Sequence, residues 1–241
     1  PEDGAVDAHL TSVVAEGEDK DAADFSTLNE THRQTRDPRD SGAAQHVRLL
    51  VLLVEIEGMK APTCTPAKAR ATFWEDAESV AAFWARASRG HVGLARDSRG
   101  TAGADVAGPF RLRRTHTGTG AGTGTGTDAA AQCDTGAWRD GALAAARAAG
   151  VATWQYQHVA LVLPPDAPCT WLGLANVGCG EQCYLWVKQC DAPLVIAHEL
   201  GHNFGLEHAA LRAHETGAYV EYGDPTSVMG NRFLAGGARP D

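Results

Sequence analysis

The 241-residue sequence predicts an α/β fold, with helices packed on a mostly parallel, twisted sheet that has an antiparallel edge strand. Three observations carry this. Residues 47–56 (VRLLVLLVEI) and 158–163 (HVALVL) are near-continuous apolar runs, the pattern of strands buried on both faces. Segments with helical apolar spacing lie between and after them. A hydrophobic content of 44% suffices for a real core in a chain of this length, so one large domain is expected.

Residues 1–45 are polar and mixed in charge, without a sustained apolar period. They read as an N-terminal tail or pro-segment remnant, leaving 46–241 as the folded domain. The strand at 47–56 is broken off by Pro62 and Pro66. A helix is expected over about 67–89, with Phe73, Trp74, Val80, Phe83 and Trp84 as its core stripe and Gly90 as its end. Residues 91–95 follow as a short strand, and Gly108-Pro109 as a turn. The Gly/Thr-rich stretch 115–131 reads as a flexible surface loop, because a phosphate-binding loop would need a Lys that it lacks. Asp134 is placed to cap a helix over 134–149, with Gly150 beyond its end. The strand at 158–163 stops at Pro164-Pro165. Residues 184–187 read as a short edge strand. Asp191 is then expected to cap a helix over about 191–204.

The formal net charge of −9 argues against a nucleic-acid footprint, which needs clustered Lys and Arg. No apolar run approaches the roughly 18 residues of a membrane span. The opening Pro-Glu-Asp-Gly is not a secretory leader, so the chain reads as a fragment or mature form. Six cysteines (Cys64, Cys133, Cys169, Cys179, Cys183, Cys190) favour disulfides and an oxidising, secreted setting. Cys179-x-x-x-Cys183 also has metal-ligand spacing, but no second pair sits at zinc-ribbon distance. Six cysteines allow 15 connectivities, and the sequence does not choose among them. Asn29-Glu-Thr31 is a glycosylation sequon that fits secretion.

The chemistry lies in residues 198–208, His-Glu-Leu-Gly-His-Asn-Phe-Gly-Leu-Glu-His. His198 and His202 are one helical turn apart, so they share a face and can chelate one ion. Glu199 lies about 100° round the helix, able to reach a water without ligating. Gly205 is where the helix should stop, in the left-handed conformation that only Gly adopts at little cost. That turn brings His208 back as a third ligand. Three His with a fourth position left open describe a catalytic Zn2+ site rather than a structural one. Met229, in Ser227-Val-Met-Gly230, follows 21 positions after His208 (229 − 208). A Met in a tight turn beneath a three-His zinc site marks the metzincin superfamily, where it forms an apolar floor.

The stretch HELGHNFGLEHA (198–209) with Tyr222-Gly-Asp-Pro-Thr-Ser-Val-Met-Gly230 resembles the gametolysin family of metzincins. These are secreted peptidases of volvocine algae that act on cell-wall and matrix glycoproteins. Weaker similarity runs through the strand at 47–56, Ser79-Val-Ala-Ala-Phe-Trp84, Ser88-Arg-Gly90 and Trp171-Leu-Gly-Leu-Ala175, covering about 46–235 in all. The resemblance implies a metzincin-like α+β domain with a Met-turn at about 227–230. It implies His198, His202 and His208 as metal ligands, Glu199 as catalytic base, and Met229 as the turn residue. A Pro- or hydroxyproline-rich substrate is implied at family level only. Pro62-Thr-Cys64-Thr-Pro66 is superficially similar to the propeptide cysteine that blocks zinc in some matrix peptidases, although cysteine parity favours a disulfide.

The expected reaction is metal-assisted amide hydrolysis of a polypeptide by a secreted, monomeric endopeptidase. Tyr222 is the first candidate for an assisting hydroxyl and Tyr219 the second; His214 reads as a surface residue. The edge strand near 184–187 is expected to take an extended substrate as an added strand. The rival reading is a catalytically weak zinc-containing binding or adhesion module, from which cleavage of casein or gelatin would distinguish it. A non-peptidase metal hydrolase is a third, disfavoured by the Gly205/His208 extension.

Overall fold

The computed structural model describes residues 45–95, 105–113, 133–212 and 217–230. The tail at 1–44, the Gly/Thr stretch 115–131, the sequon and His214 lie outside them. Strand β1 (Gln45–Ile56) is the spine. One side of it pairs in parallel first with β2 (Val92–Ala95) and then with β3 (Val106–Leu112). It also pairs in parallel with β4 (His158–Val162), which pairs in parallel with β6 (Cys183–Val187). The short β5 (Gly173–Ala175) closes the sheet, antiparallel to β6. The mixed α/β architecture with a mostly parallel sheet is therefore as the sequence predicts.

Alternation along β1 explains its unbroken apolar text. Val47, Leu49, Val51 and Leu53 face one core, with Phe73, Val80, Trp84, Ile196, Ala197 and Leu200. Leu50, Leu52, Val54 and Ile56 face the other, with Trp138, Ala142, Leu143 and Ala146. Both faces are dry, so neither can be polar. The first core is covered by α1 (Pro66–Arg70), α2 (Val80–Ala87) and α4 (Pro193–Asn203), the second by α3 (Thr135–Ala148). The Asp134 carboxylate caps α3 as expected, accepting from the Ala137 N–H at 2.9 Å.

Four expectations need correction. The helix over 67–89 is broken: α1 runs into a wide turn at Ala71–Glu75, Asp76 is extended, and α2 restarts at Val80. The Ser79 hydroxyl drives the restart by accepting from the Ala82 N–H at 3.2 Å. Gly108-Pro109 is no chain turn but a cis bond inside β3, where the register against β1 shifts by a bulge. Asp191 does not cap α4; Ala192 holds that position, and Asp191 pairs instead with Lys68 at 3.0 Å. Residues 184–187 belong to β6, which is interior, flanked by β4 and β5. The antiparallel edge is β5, too short to announce itself. Cys64 is bonded to Cys190, the disulfide that cysteine parity favoured over a thiolate for a metal. The other bridges are Cys133–Cys169 and Cys179–Cys183, and no cysteine is free.

No helix among the described residues is long and apolar enough to cross a membrane. A two-stranded ribbon, β7 (Leu211–Arg212) with β8 (Tyr219–Val220), lies beyond α4.

Candidate active site

Helix α4 is buried from Ile196 to Asn203. Ile196, Ala197 and Leu200 point into the core, which leaves His198, Glu199 and His202 on the remaining faces. The helix ends at Gly205, whose φ is +86°. The Leu206 N–H donates to the Gly201 carbonyl at 3.0 Å, and the Gly205 N–H to the His202 carbonyl at 2.7 Å. This paired closure is a Schellman motif, and it reverses the chain as the sequence predicted. His208 returns toward the helix. The ring centroids of His208 and His202 lie 4.8 Å apart, and those of His208 and His198 5.5 Å.

Each imidazole is held by its outer nitrogen. His198 Nδ1–H donates to the Val228 carbonyl at 2.7 Å. His202 Nδ1–H donates to the Leu206 carbonyl at 2.8 Å. His208 Nδ1–H donates to Glu221 Oε1 at 2.6 Å. A carbonyl or carboxylate oxygen only accepts, so each Nδ1 carries a proton, and the lone pair of the neutral ring is the one on Nε2. The Nε2 atoms of His198 and His202 stand 3.1 Å apart. Ligand atoms of all three residues fall within 4.8 Å of one another. Burial lowers the pKa of His198, and it lowers that of His202 to about 4, helped by the neighbouring His198. A metal ion of zinc type needs imidazole nitrogens that converge in this way, each supported by a hydrogen bond from its other nitrogen. The donor chemistry therefore fits a metal.

Glu199 is also buried, and burial raises its carboxyl pKa to about 8 in the metal-free protein. Its neighbour is the edge strand: a Cβ at Gly173 would lie 2.5 Å from Glu199 Oε1 and 2.6 Å from its Cγ. Backbone of β5 thus runs directly past the carboxylate. Beneath the helix, a Cβ at Gly201 would meet Met229 Sδ at 2.5 Å. Met229 sits in a tight turn closed by the Gly230 N–H to the Ser227 carbonyl at 3.1 Å, and is itself buried. The same turn supplies the Val228 carbonyl that holds His198.

Of the two tyrosine candidates, the structure brings Tyr222 to the cluster. Its ring centroid is 3.7 Å from that of His208 and 6.1 Å from that of His198. Its φ is +56°, a left-handed conformation that costs a non-glycine residue about 1–3 kcal/mol. Burial, then Glu221 and Glu199, raise its hydroxyl pKa, so it stays protonated. Tyr219 lies on β8 and is 69% exposed. Sequence reasoning missed Glu221, Gly173 and Gly201. Gly201, inside the helix, was the one visible signal, a residue that disfavours a helix interior unless close packing requires it.

A family model described as gametolysin peptidase M11 matches residues 48–239. Autolysin from Chlamydomonas reinhardtii is 38% identical over 92 residues, which are 36% of this chain. The matched part spans only 14% of the length of that relative. With the match running across the sheet, the buried histidine helix and the turn at Met229, the chain belongs to the gametolysin family of metallopeptidases.

Proposed function

We propose that the chain is a secreted, zinc-dependent endopeptidase of metzincin type, with His198, His202 and His208 as metal ligands. The observation that carries this is the orientation of the three imidazoles, each with Nδ1 tied outward and Nε2 turned inward. The turn at Ser227–Gly230 serves as the Met-turn, with Met229 as the floor under Gly201. Three disulfides support an extracellular setting.

When bound, zinc supplies Lewis acidity that polarises the scissile carbonyl and acidifies a water. Glu199 is the general base: its carboxylate takes a proton from the attacking water and delivers it to the leaving amine. The Tyr222 hydroxyl, kept protonated, donates a hydrogen bond to the developing oxyanion. Among the described residues β5 is the edge of the sheet, and an extended polypeptide adds to it as a further strand, past Glu199. The substrate class is carried over from the family resemblance alone: Pro- or hydroxyproline-rich wall or matrix glycoprotein, cleaved by a monomer.

The test is cleavage of casein or gelatin by the purified chain. Activity should accompany one zinc per chain, vanish with a chelator, and return with zinc. Metal-independent cleavage, or no cleavage by the zinc-loaded chain, would sink the proposal. The role of Glu221 gives a second check. Glu221→Gln removes the carboxylate behind His208, and zinc affinity should fall about 10- to 100-fold. Competition with a chromophoric chelator measures it; unchanged affinity would remove Glu221 from the site.

A further inference from the structure

A second cluster of ligand-type side chains lies against the C-terminal end of α4, beside Asn203. It comprises His158 at the start of β4, and Cys179 and Cys183, whose ligand atoms all fall within 4.8 Å of one another. His158 and Cys183 are buried, while Cys179 is partly exposed. Cys183 Sγ is 3.0 Å from His158 Nδ1. The two sulfurs are joined as a disulfide, with Cα atoms 5.1 Å apart. We propose that reduction of Cys179–Cys183 converts this staple into a dithiolate–imidazole site for a thiophilic divalent cation such as Zn2+ or Cd2+.

The geometry needs little rearrangement. A tetrahedral zinc site holds sulfur and nitrogen ligands roughly 3.5 Å apart, given Zn–S of about 2.3 Å and Zn–N of about 2.0 Å. The pair from His158 and Cys183 is already near that separation, and both residues are fixed in paired strands. Only Cys179 has to move, and it lies in the loop between β5 and β6. The spacing of three intervening residues is within the usual range for paired zinc cysteines.

Asn203 shows how the ring is held now. Its Nδ2 donates to the carbonyls of Asn176 and Tyr184, both at 3.0 Å, so its Oδ1 faces His158 as an acceptor. His158 Nδ1–H therefore donates to Asn203 Oδ1 at 3.3 Å. Metal binding moves that proton to Nε2 and frees the Nδ1 lone pair. Asn203 keeps both carbonyl contacts, and the Gly178 N–H keeps its bond to the His202 carbonyl at 2.8 Å. The end of α4 thus stays anchored in either state.

The chemistry balances. Two equivalents of a monothiol open the bridge, leaving as their own disulfide and delivering two hydrogens to the cysteine sulfurs. The cation then displaces two protons as both thiolates bind.

The experiment uses the full zinc-loaded chain, reduced with a trialkylphosphine, which takes its oxygen from water and competes weakly for metal. Cadmium is added and excess removed. One extra Cd2+ per chain beyond the oxidised protein is expected, with an ultraviolet thiolate-to-cadmium absorption. Alkylation followed by mass spectrometry should show Cys179 and Cys183 alone protected by the ion. Cys179→Ser should abolish both signals, and His158→Gln should weaken binding while leaving two thiols per bridge. No extra ion, protection spread over all six cysteines, or identical binding in the His158→Gln chain would overturn the proposal.

Discussion

Glu199→Gln should retain its metal and lose peptidase activity by about a hundredfold to ten-thousandfold, the usual contribution of a positioned general base. Gln keeps the volume of the side chain, which matters because Glu199 is buried against the backbone of β5. It removes only the capacity to take and return a proton. The expected result is a loss in kcat, with zinc content and thermal midpoint close to wild type. Metal analysis and a denaturation curve accompany the assay, so a fall in activity from unfolding or metal loss is recognised as such. Undiminished cleavage by the variant would remove Glu199 from the reaction while leaving the three-histidine site standing.

The largest effect on stability is expected from the double substitution Cys64→Ser with Cys190→Ser. This bridge spans 126 positions, joining the loop before α1 to the segment that leads into α4. Chain entropy alone assigns such a closure about 4–5 kcal/mol, against a typical total stability of about 5–15 kcal/mol. Both sulfurs are also buried in the core beneath the histidine helix. For a domain of this size the thermal midpoint should fall by about 10 °C or more, with activity per folded molecule little changed. A fall of less than about 2 °C would show that packing around α1 and α4 holds the segment without the bridge.

How far the sequence revealed this molecule depended on the range of the forces involved. β1 and β4 were legible because burial on both faces leaves no room for polar residues. The histidine helix and its stop at Gly205 were legible because both are local, set by helical spacing and one left-handed residue. Asp134 was equally local. The errors arise where a distant partner decides. Asp191 looks like a cap, but Lys68, 123 positions away, takes its carboxylate. Residues 184–187 look like an edge until the three residues of β5 cover them. The break at Asp76 contains neither Gly nor Pro, and the Ser79 hydroxyl is its only local cause. Glu221 reaches His208 only because the β7–β8 ribbon folds back, which no spacing rule announces.

The positions of the disulfides carry one more consequence. All six cysteines lie at or before position 190, so nothing covalent ties down the chain beyond α4. That stretch is held by non-covalent contacts: Val228 and Met229 in the core, the Ala209 N–H to the Met229 carbonyl, the ribbon, and the outward bonds of His198 and His208. In the proposed reading, the ion joins two ligands on the helix to one on the returning chain, and so closes the loop that sulfur leaves open. Ligation and docking of residues 206–212 and 217–230 then become a single equilibrium. Without the ion, that stretch would keep only its non-covalent contacts, while the sheet stays stapled by its disulfides.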